Sequence, residues 1–200
     1  MFFAVELKTS NPQNHSMQEI HDPSRRKFLK YAAGLGLAAM LPTTVLGEDF
    51  WSMPRELWLV RAETGESIRA QYFANGQILL PGYIATCQLL RDVKAKSVVQ
   101  MSPVLLDILC GMQGWFRAYG VDKPIIVNSG YRTILTNSKI EGAARASMHL
   151  LGKAADVRID GVPTRYLAEL GLYLKGGGVG FYPSKGMVHV DAGRLRVWRG

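Results

Sequence analysis

Apolar and polar positions change rhythm several times along the chain, and each rhythm predicts an element. ELWLVRAETGESIRAQYF (residues 56–73) reads as two strands joined by a turn at Glu63-Thr64-Gly65-Glu66, and Asn75-Gly76 marks a further turn. A helix is expected from Gly82 to Val93. The strongest pattern is SPVLLDILCGMQGWFRAYG (102–120), where Leu105, Leu109, Met112, Phe116 and Tyr119 recur at three- and four-residue steps and make one apolar face. Ser102 is its expected cap, Pro103 its first helical residue and Gly120 its end.

The second half predicts a buried strand from Ile125 to Asn128, a turn at Ser129-Gly130, and a short helical piece from Leu135 to Ile140. After a loop of small residues, EGAARAS, come a strand from Ala154 to Ile159, a helix from Pro163 to Lys175, and a last strand from Met187 to Asp191. Gly176-Gly177-Gly178 reads as the end of that helix and the start of a flexible loop. Strands and helices that mix without regular βαβ alternation indicate an α+β fold.

One segment stands outside this pattern. SRRKFLKYAAGLGLAAMLPTTVLG (24–47) opens with Arg25-Arg26 and continues as an apolar run of 16 residues from Tyr31 to Leu46. As a helix that run spans about 24 Å, short of the roughly 30 Å hydrocarbon core. Val45-Leu46-Gly47 offers small residues for a signal peptidase, and Ser24 to Lys30 resembles the twin-arginine export signal, which a receptor reads. The expectation is a leader over residues 1–47 and one mature domain over 48–200, delivered to the periplasm or cell envelope; an anchoring helix is the alternative.

The whole chain has 24 Lys and Arg against 16 Asp and Glu. The leader takes five basic and three acidic residues, leaving a net charge of +6 on the remainder. That balance favours an anionic partner. No basic cluster interleaved with aromatics suggests nucleic acid, and cell wall fits the compartment. Cys87 and Cys110 belong to no CxxC motif, which disfavours thiolate metal ligation; Cys110 falls in an apolar helical pattern and reads as a buried, inert thiol.

Of the four histidines, His15 and His21 fall in the leader, so the mature chain retains His149 in SMHLLGKAAD and His189 in GMVHVDAG. Alternation along the strands places Asp156 opposite the apolar Ala155, Val157 and Ile159, and His189 opposite Val188 and Val190. If the apolar residues face the core, Asp156 and His189 leave the other face together, and a tight bend at Gly152 can return His149 over them. Two imidazoles, a carboxylate and a fourth position left for water suit zinc. Two histidines 40 residues apart can equally be two ordinary hydrogen-bonded side chains.

Ser147-x-His149-x-x-Gly152-x-Ala154-x-Asp156 with a late His189 resembles the D-alanyl-D-alanine carboxypeptidase and VanX-like zinc peptidases. The similarity is closer to their exported YcbK-like branch, the murein endopeptidase K group. TGESIRAQYF, SGYRT, GGVGFYP and VHVDAGRLRVW extend the resemblance over most of the mature chain. It implies an α+β fold with a central antiparallel sheet flanked by helices, one zinc ion held by His149, Asp156 and His189, and hydrolysis of peptide bonds in peptidoglycan stem peptides. Arg132 corresponds to the arginine such enzymes aim at substrate, to hold a carboxylate or stabilise an oxyanion; a surface salt bridge is the alternative. Ser147 and Tyr182 are candidate substrate contacts, with turn-capping the alternative for Ser147 and a flexible connector explaining the glycines before Tyr182. Where many relatives carry a proton-accepting Glu or His, this chain has Gly186 and Met187, and neither can act as a base. Asp191 is then the candidate proton acceptor, or the partner of a ligand histidine. A zinc-stabilised wall-binding module with impaired catalysis is the competing class.

Overall fold

The computed structural model describes residues 48–200; the leader expected over residues 1–47 lies outside the described residues. Eight strands form one sheet in the order β3-β2-β1-β4-β5-β7-β6-β8. They are β1 (Arg55–Arg61), β2 (Ser67–Ala74), β3 (Gln77–Ile78), β4 (Ile125–Ser129), β5 (Ala154–Arg158), β6 (Gly178–Tyr182), β7 (Met187–Asp191) and β8 (Arg196–Arg199). Five helices accompany them: α1 (Glu48–Ser52), α2 (Leu80–Leu89), α3 (Pro103–Ala118), α4 (Ile134–Ser138) and α5 (Thr164–Leu174). This is the expected α+β class. The sheet is mixed, however: β1 with β4 and β6 with β8 run parallel, and the other five pairings are antiparallel. The β1–β4 pair is parallel because α2 and α3 carry the chain between its members, the crossover a parallel pair requires.

Leu57 and Leu59 of β1, Ile125 and Val127 of β4, Ala155 and Val157 of β5, and Val188 and Val190 of β7 belong to one buried cluster with residues of α2, α3 and α5. Helix α3 packs on β1, and α5 on β6 and β7. Gln113 of α3 is buried and ties the helix to the sheet, accepting from the Trp58 amide at 2.9 Å and donating to the Trp58 carbonyl at 2.8 Å. Four of the five residues expected on the apolar face of α3 are buried; Tyr119 is the C-cap, past the last helical turn, and is exposed. Pro103 opens the helix as expected, whereas the Ser102 side chain makes no capping bond.

Two strands differ from expectation. Gly178–Tyr182, read from its glycines as a loop, is β6, paired on both sides; Arg196–Arg199 is the parallel edge strand β8. Glycine is required in β6 for close approach. A Cβ on Gly180 would lie 2.6 Å from the Trp198 ring, and one on Gly178 would lie 2.4 Å from Arg196 Nη1. Cys87 and Cys110 are both free and buried. No described helix is long and apolar enough to cross a membrane.

Candidate metal centre

Asp156 and His189 are direct partners across the antiparallel pair β5–β7. Side chains so paired leave the sheet about 5 Å apart on the same face, here the face away from the valines. His149 arrives from a short 3₁₀ turn, Met148–Leu151, that precedes β5. Ser147 caps this turn, its Oγ accepting from the His149 amide at 3.3 Å. Gly152 ends it with a left-handed φ of +64°, a conformation costly for any residue with a Cβ. The bend expected at Gly152 therefore exists, and it delivers His149 to the strand pair.

The three side chains converge on one triangle. His149 Nε2 lies 3.1 Å from His189 Nδ1, His189 Nδ1 lies 3.0 Å from Asp156 Oδ1, and His149 Nε2 lies 3.3 Å from the same oxygen. Ligands bonded at 2.0–2.1 Å around a tetrahedral ion are about 3.3 Å apart, so these atoms fit one ion. The remaining imidazole nitrogens fix the tautomers. His149 Nδ1 is 2.6 Å from the Gly130 carbonyl, and His189 Nε2 is 2.9 Å from Asp191 Oδ2. Carbonyl and carboxylate oxygens only accept, so both nitrogens must donate, and in the neutral rings His149 Nε2 and His189 Nδ1 then present lone pairs to each other. A proton or a cation must lie between them.

Burial shapes the charge of this cluster. Asp156 is 4 % exposed. Burial opposes its ionisation, but contacts with His149 and His189 and the charge of Arg132 outweigh burial and hold the carboxyl well below the usual carboxylate range. Burial pushes the His149 pKa down and keeps that ring neutral. Burial also opposes charge on His189, yet Asp156 and Asp191 raise its pKa. Two neutral-capable imidazoles and a carboxylate held ionised form a donor set that suits a divalent cation.

Arg132 meets the cluster directly. Its Nη2 donates to Asp156 Oδ2, and its Nε donates to Ser129 Oγ at 2.8 Å. Its backbone amide donates to the His149 carbonyl at 3.2 Å, which locks the SGYRT turn to the histidine turn. Asp191 lies behind His189 and is fully buried. Its Oδ1 accepts from the amides of Gly178 and Gly193 and from Arg196 Nη1; its Oδ2 accepts from Arg196 Nη2 at 2.6 Å and from His189. Both oxygens are engaged away from the ligand triangle. Burial works against the charge on Asp191, but the contacts with His189 and Arg196 prevail and keep its carboxyl well below the usual range.

The two candidate substrate contacts lie further out. Ser147 Oγ accepts from the His149 amide within the turn. Tyr182 Oη accepts from Trp198 Nε1 at 2.8 Å, and the Trp198 ring sits 5.1 Å from that of His189, so Tyr182 joins the cluster through Trp198. Sequence reasoning missed the Gly130 carbonyl, Arg196 and Trp198. The alternation of Arg196 and Trp198 in RVWR was a readable strand signal; a backbone acceptor such as Gly130 leaves none.

The family model described as Peptidoglycan L,D-endopeptidase MepK matches residues 51–198. The chain is 34 % identical over 181 residues to the Peptidoglycan L,D-endopeptidase MepK of Escherichia coli (strain K12), covering 88 % of this chain and 98 % of that protein. It is 32 % identical over 185 residues to the Probable peptidoglycan L,D-endopeptidase MepK of Haemophilus influenzae, covering 90 % and 97 %. The match takes in every strand and side chain that builds the His149–Asp156–His189 triangle, and the chain belongs to the peptidoglycan L,D-endopeptidase MepK family of peptidases.

Proposed function

We propose that this chain is a zinc-dependent murein peptidase that hydrolyses peptide cross-links of peptidoglycan outside the cytoplasm. The observation that carries the reading is the buried triangle of His149 Nε2, Asp156 Oδ1 and His189 Nδ1, with each imidazole pinned by its other nitrogen. The names of its relatives, peptidoglycan L,D-endopeptidases, supply the substrate class. These three residues would hold the ion; a set of two nitrogens and one oxygen suits a catalytic zinc, which retains an open position. When bound, zinc supplies Lewis acidity, polarising a carbonyl and acidifying water.

The chain's own residues do the rest. Gly130 and Asp191 hold the two imidazoles in the tautomers that offer lone pairs to the ion, the usual arrangement behind ligand histidines. Arg132 is fixed by Ser129 and Asp156 beside the cluster, where its guanidinium can stabilise the oxyanion that develops on the scissile carbonyl. Asp191 acts as a positioning residue, because both its oxygens are engaged and Oδ2 meets the far nitrogen of His189.

A second reading rests on that same engagement. With Gly186 and Met187 at the positions of the missing base and Asp191 fully engaged, a zinc-stabilised peptidoglycan-binding module with impaired catalysis is the alternative. Incubating the purified, zinc-loaded protein with cross-linked muropeptides and weighing the products separates the two. Loss of cross-linked species supports the peptidase; cross-links left whole despite measured binding support the module. Export has its own test: changing both Arg25 and Arg26 to lysine should retain the precursor inside the cell, and normal delivery of that variant would remove the twin-arginine assignment.

A further inference from the structure

The Asp156–His189 pair is one row of side chains on its face of the sheet, and a second row lies beside it. The register that pairs Asp156 with His189 and Val157 with Val188 next brings Arg158 of β5 against Met187 of β7. Alternation puts both on the face of the ligand triangle. Tyr182 of β6 pairs with Met187 and extends the row. On the other side of the Asp156–His189 pair the row is Ala154 and Asp191, and both are fully buried. Arg158, Met187 and Tyr182 are half-buried, so along β5 and β7 a substrate gains access to the triangle from their side.

Asn128, at the irregular end of β4, ties the row together. Its Oδ1 accepts from Arg158 Nη1 at 2.7 Å, and its Nδ2 donates to Met187 Sδ at 3.6 Å. Met187, one of the two positions without a base, thus places a thioether beside the guanidinium. Among the described residues Arg158 Nη2 makes no hydrogen bond, and Nε has a single ion pair, 3.5 Å from Asp160 Oδ1 and without a hydrogen bond. Asp160 is 71 % exposed and the Arg158 side chain 35 %, so water screens that pair and it holds little. Arg132, by contrast, already donates to Asp156 and Ser129. A second cation stands at the far end of the row, where Lys185 Nζ lies 5.4 Å from the centre of the Tyr182 ring.

We infer that the row of Arg158, Met187 and Tyr182 is a substrate subsite, in which Arg158 selects an acidic residue of the stem peptide close to the scissile bond. Nη2 is free and Nε need release only the loosely held Asp160, so a planar carboxylate can take both donors. Asn128 fixes the guanidinium through Nη1, which lowers the freedom lost when a ligand binds. Met187 and Tyr182 supply apolar surface for the aliphatic part of the same residue. Position agrees with this role. Arg158 follows Asp156 by two residues on one strand, about 7 Å at the Cα atoms, which is also the repeat of side chains on one side of an extended peptide. A peptide that presents its carbonyl at the triangle therefore brings a carboxylate one or two residues away to Arg158. Arg132, on the other side of Asp156, is left to the oxyanion.

The inference rests on the peptidase reading for its choice of ligand, and the test separates the two. The probe is an uncross-linked stem tetrapeptide with its carboxylates free, compared with the same peptide converted to carboxamides. Calorimetry measures binding of each to the zinc-loaded full chain, for the wild type, Arg158→Met, Asp160→Asn and Arg69→Gln; Arg69 is an exposed cation paired with Glu56. Arg158→Met should weaken the carboxylate form about 10-fold and leave the carboxamide form unchanged. Asp160→Asn removes the competing acid and should tighten the carboxylate form, and Arg69→Gln should change neither. Thermal melting and metal analysis check that Arg158→Met is folded and keeps its zinc, and Arg158→Gln replaces it if either fails. No binding of either peptide by the wild type, an Arg158→Met loss that is absent or equal for both peptides, or the same selective loss at Arg69→Gln overturns the subsite. Cleavage of cross-links without selectivity at Arg158 leaves the peptidase reading standing; selectivity at Arg158 without cleavage does the reverse.

Discussion

Replacing Asp191 with Asn exchanges one oxygen for an NH₂ group and should disturb the metal centre from behind. The carboxylate receives five hydrogen bonds: Gly178, Gly193 and Arg196 Nη1 on Oδ1, and Arg196 Nη2 and His189 Nε2 on Oδ2. The amide introduced by Asp191→Asn can keep its oxygen on the first side, but its NH₂ then faces two donors on the second. Charge-assisted bonds are worth about 1.5–3 kcal/mol each. Arg196 is 31 % exposed on its side chain, so water recovers part of its share, and a net loss of about 3 kcal/mol in stability is expected. The imidazole has a cheaper escape: it can deprotonate Nε2 to accept from the amide and move its proton to Nδ1, the nitrogen that belongs to the ligand triangle. Metal must then displace that proton, and zinc affinity should fall about 10–100-fold. Competition with a chromophoric chelator measures the affinity, and ¹⁵N shifts of the His189 ring report the tautomer. A destabilised Asp191→Asn variant with wild-type zinc affinity and an unchanged His189 tautomer would refute the positioning role.

Three further outcomes are expected. His149→Ala and His189→Ala should each abolish stoichiometric zinc and Asp156→Ala should weaken it strongly, as read by metal analysis; full zinc in either histidine variant would remove the site. Gly180→Ala should cost about 1–3 kcal/mol in urea unfolding, because its Cβ meets the Trp198 ring at 2.6 Å and must push it off His189; an unchanged midpoint would contradict the close-approach account of β6. Burial opposes charge on Asp92, but bonds from Thr136, Thr133 and Ala95 dominate and lower its pKa to about 2. Its stabilising effect is thus fully present above the unfolded value near 3.9 and is lost as pH falls through about 2. The stability gap between wild type and Asp92→Asn should shrink by about 2 kcal/mol from pH 5 to pH 2, and a gap independent of pH would contradict it.

Local periodicity was enough to determine much of this protein. Three- and four-residue spacing fixes α3, because a helix buries one stripe. Two-residue alternation fixes the face by which Asp156 and His189 leave their strands, since each successive side chain reverses direction. Gly152 between His149 and Asp156 announced the bend that joins them. Only the tertiary structure decided which neighbours these side chains meet. Glycines 178 and 180 looked like a flexible connector, yet they lack side chains because Arg196 and Trp198 of β8 lie against them, and that contact depends on strand order. The same holds for the Gly130 carbonyl behind His149 and for Asp191, a candidate base whose oxygens accept from Arg196 and two backbone amides as well as from His189. Arg61 shows the limit most directly: alternation assigns it to the buried face, but only the packed neighbours reveal that its Nε and Nη1 have no hydrogen-bond partner there. Side-chain direction is a property of a few adjacent residues, whereas the partners at its end come from segments brought together by burial over long separations in the chain.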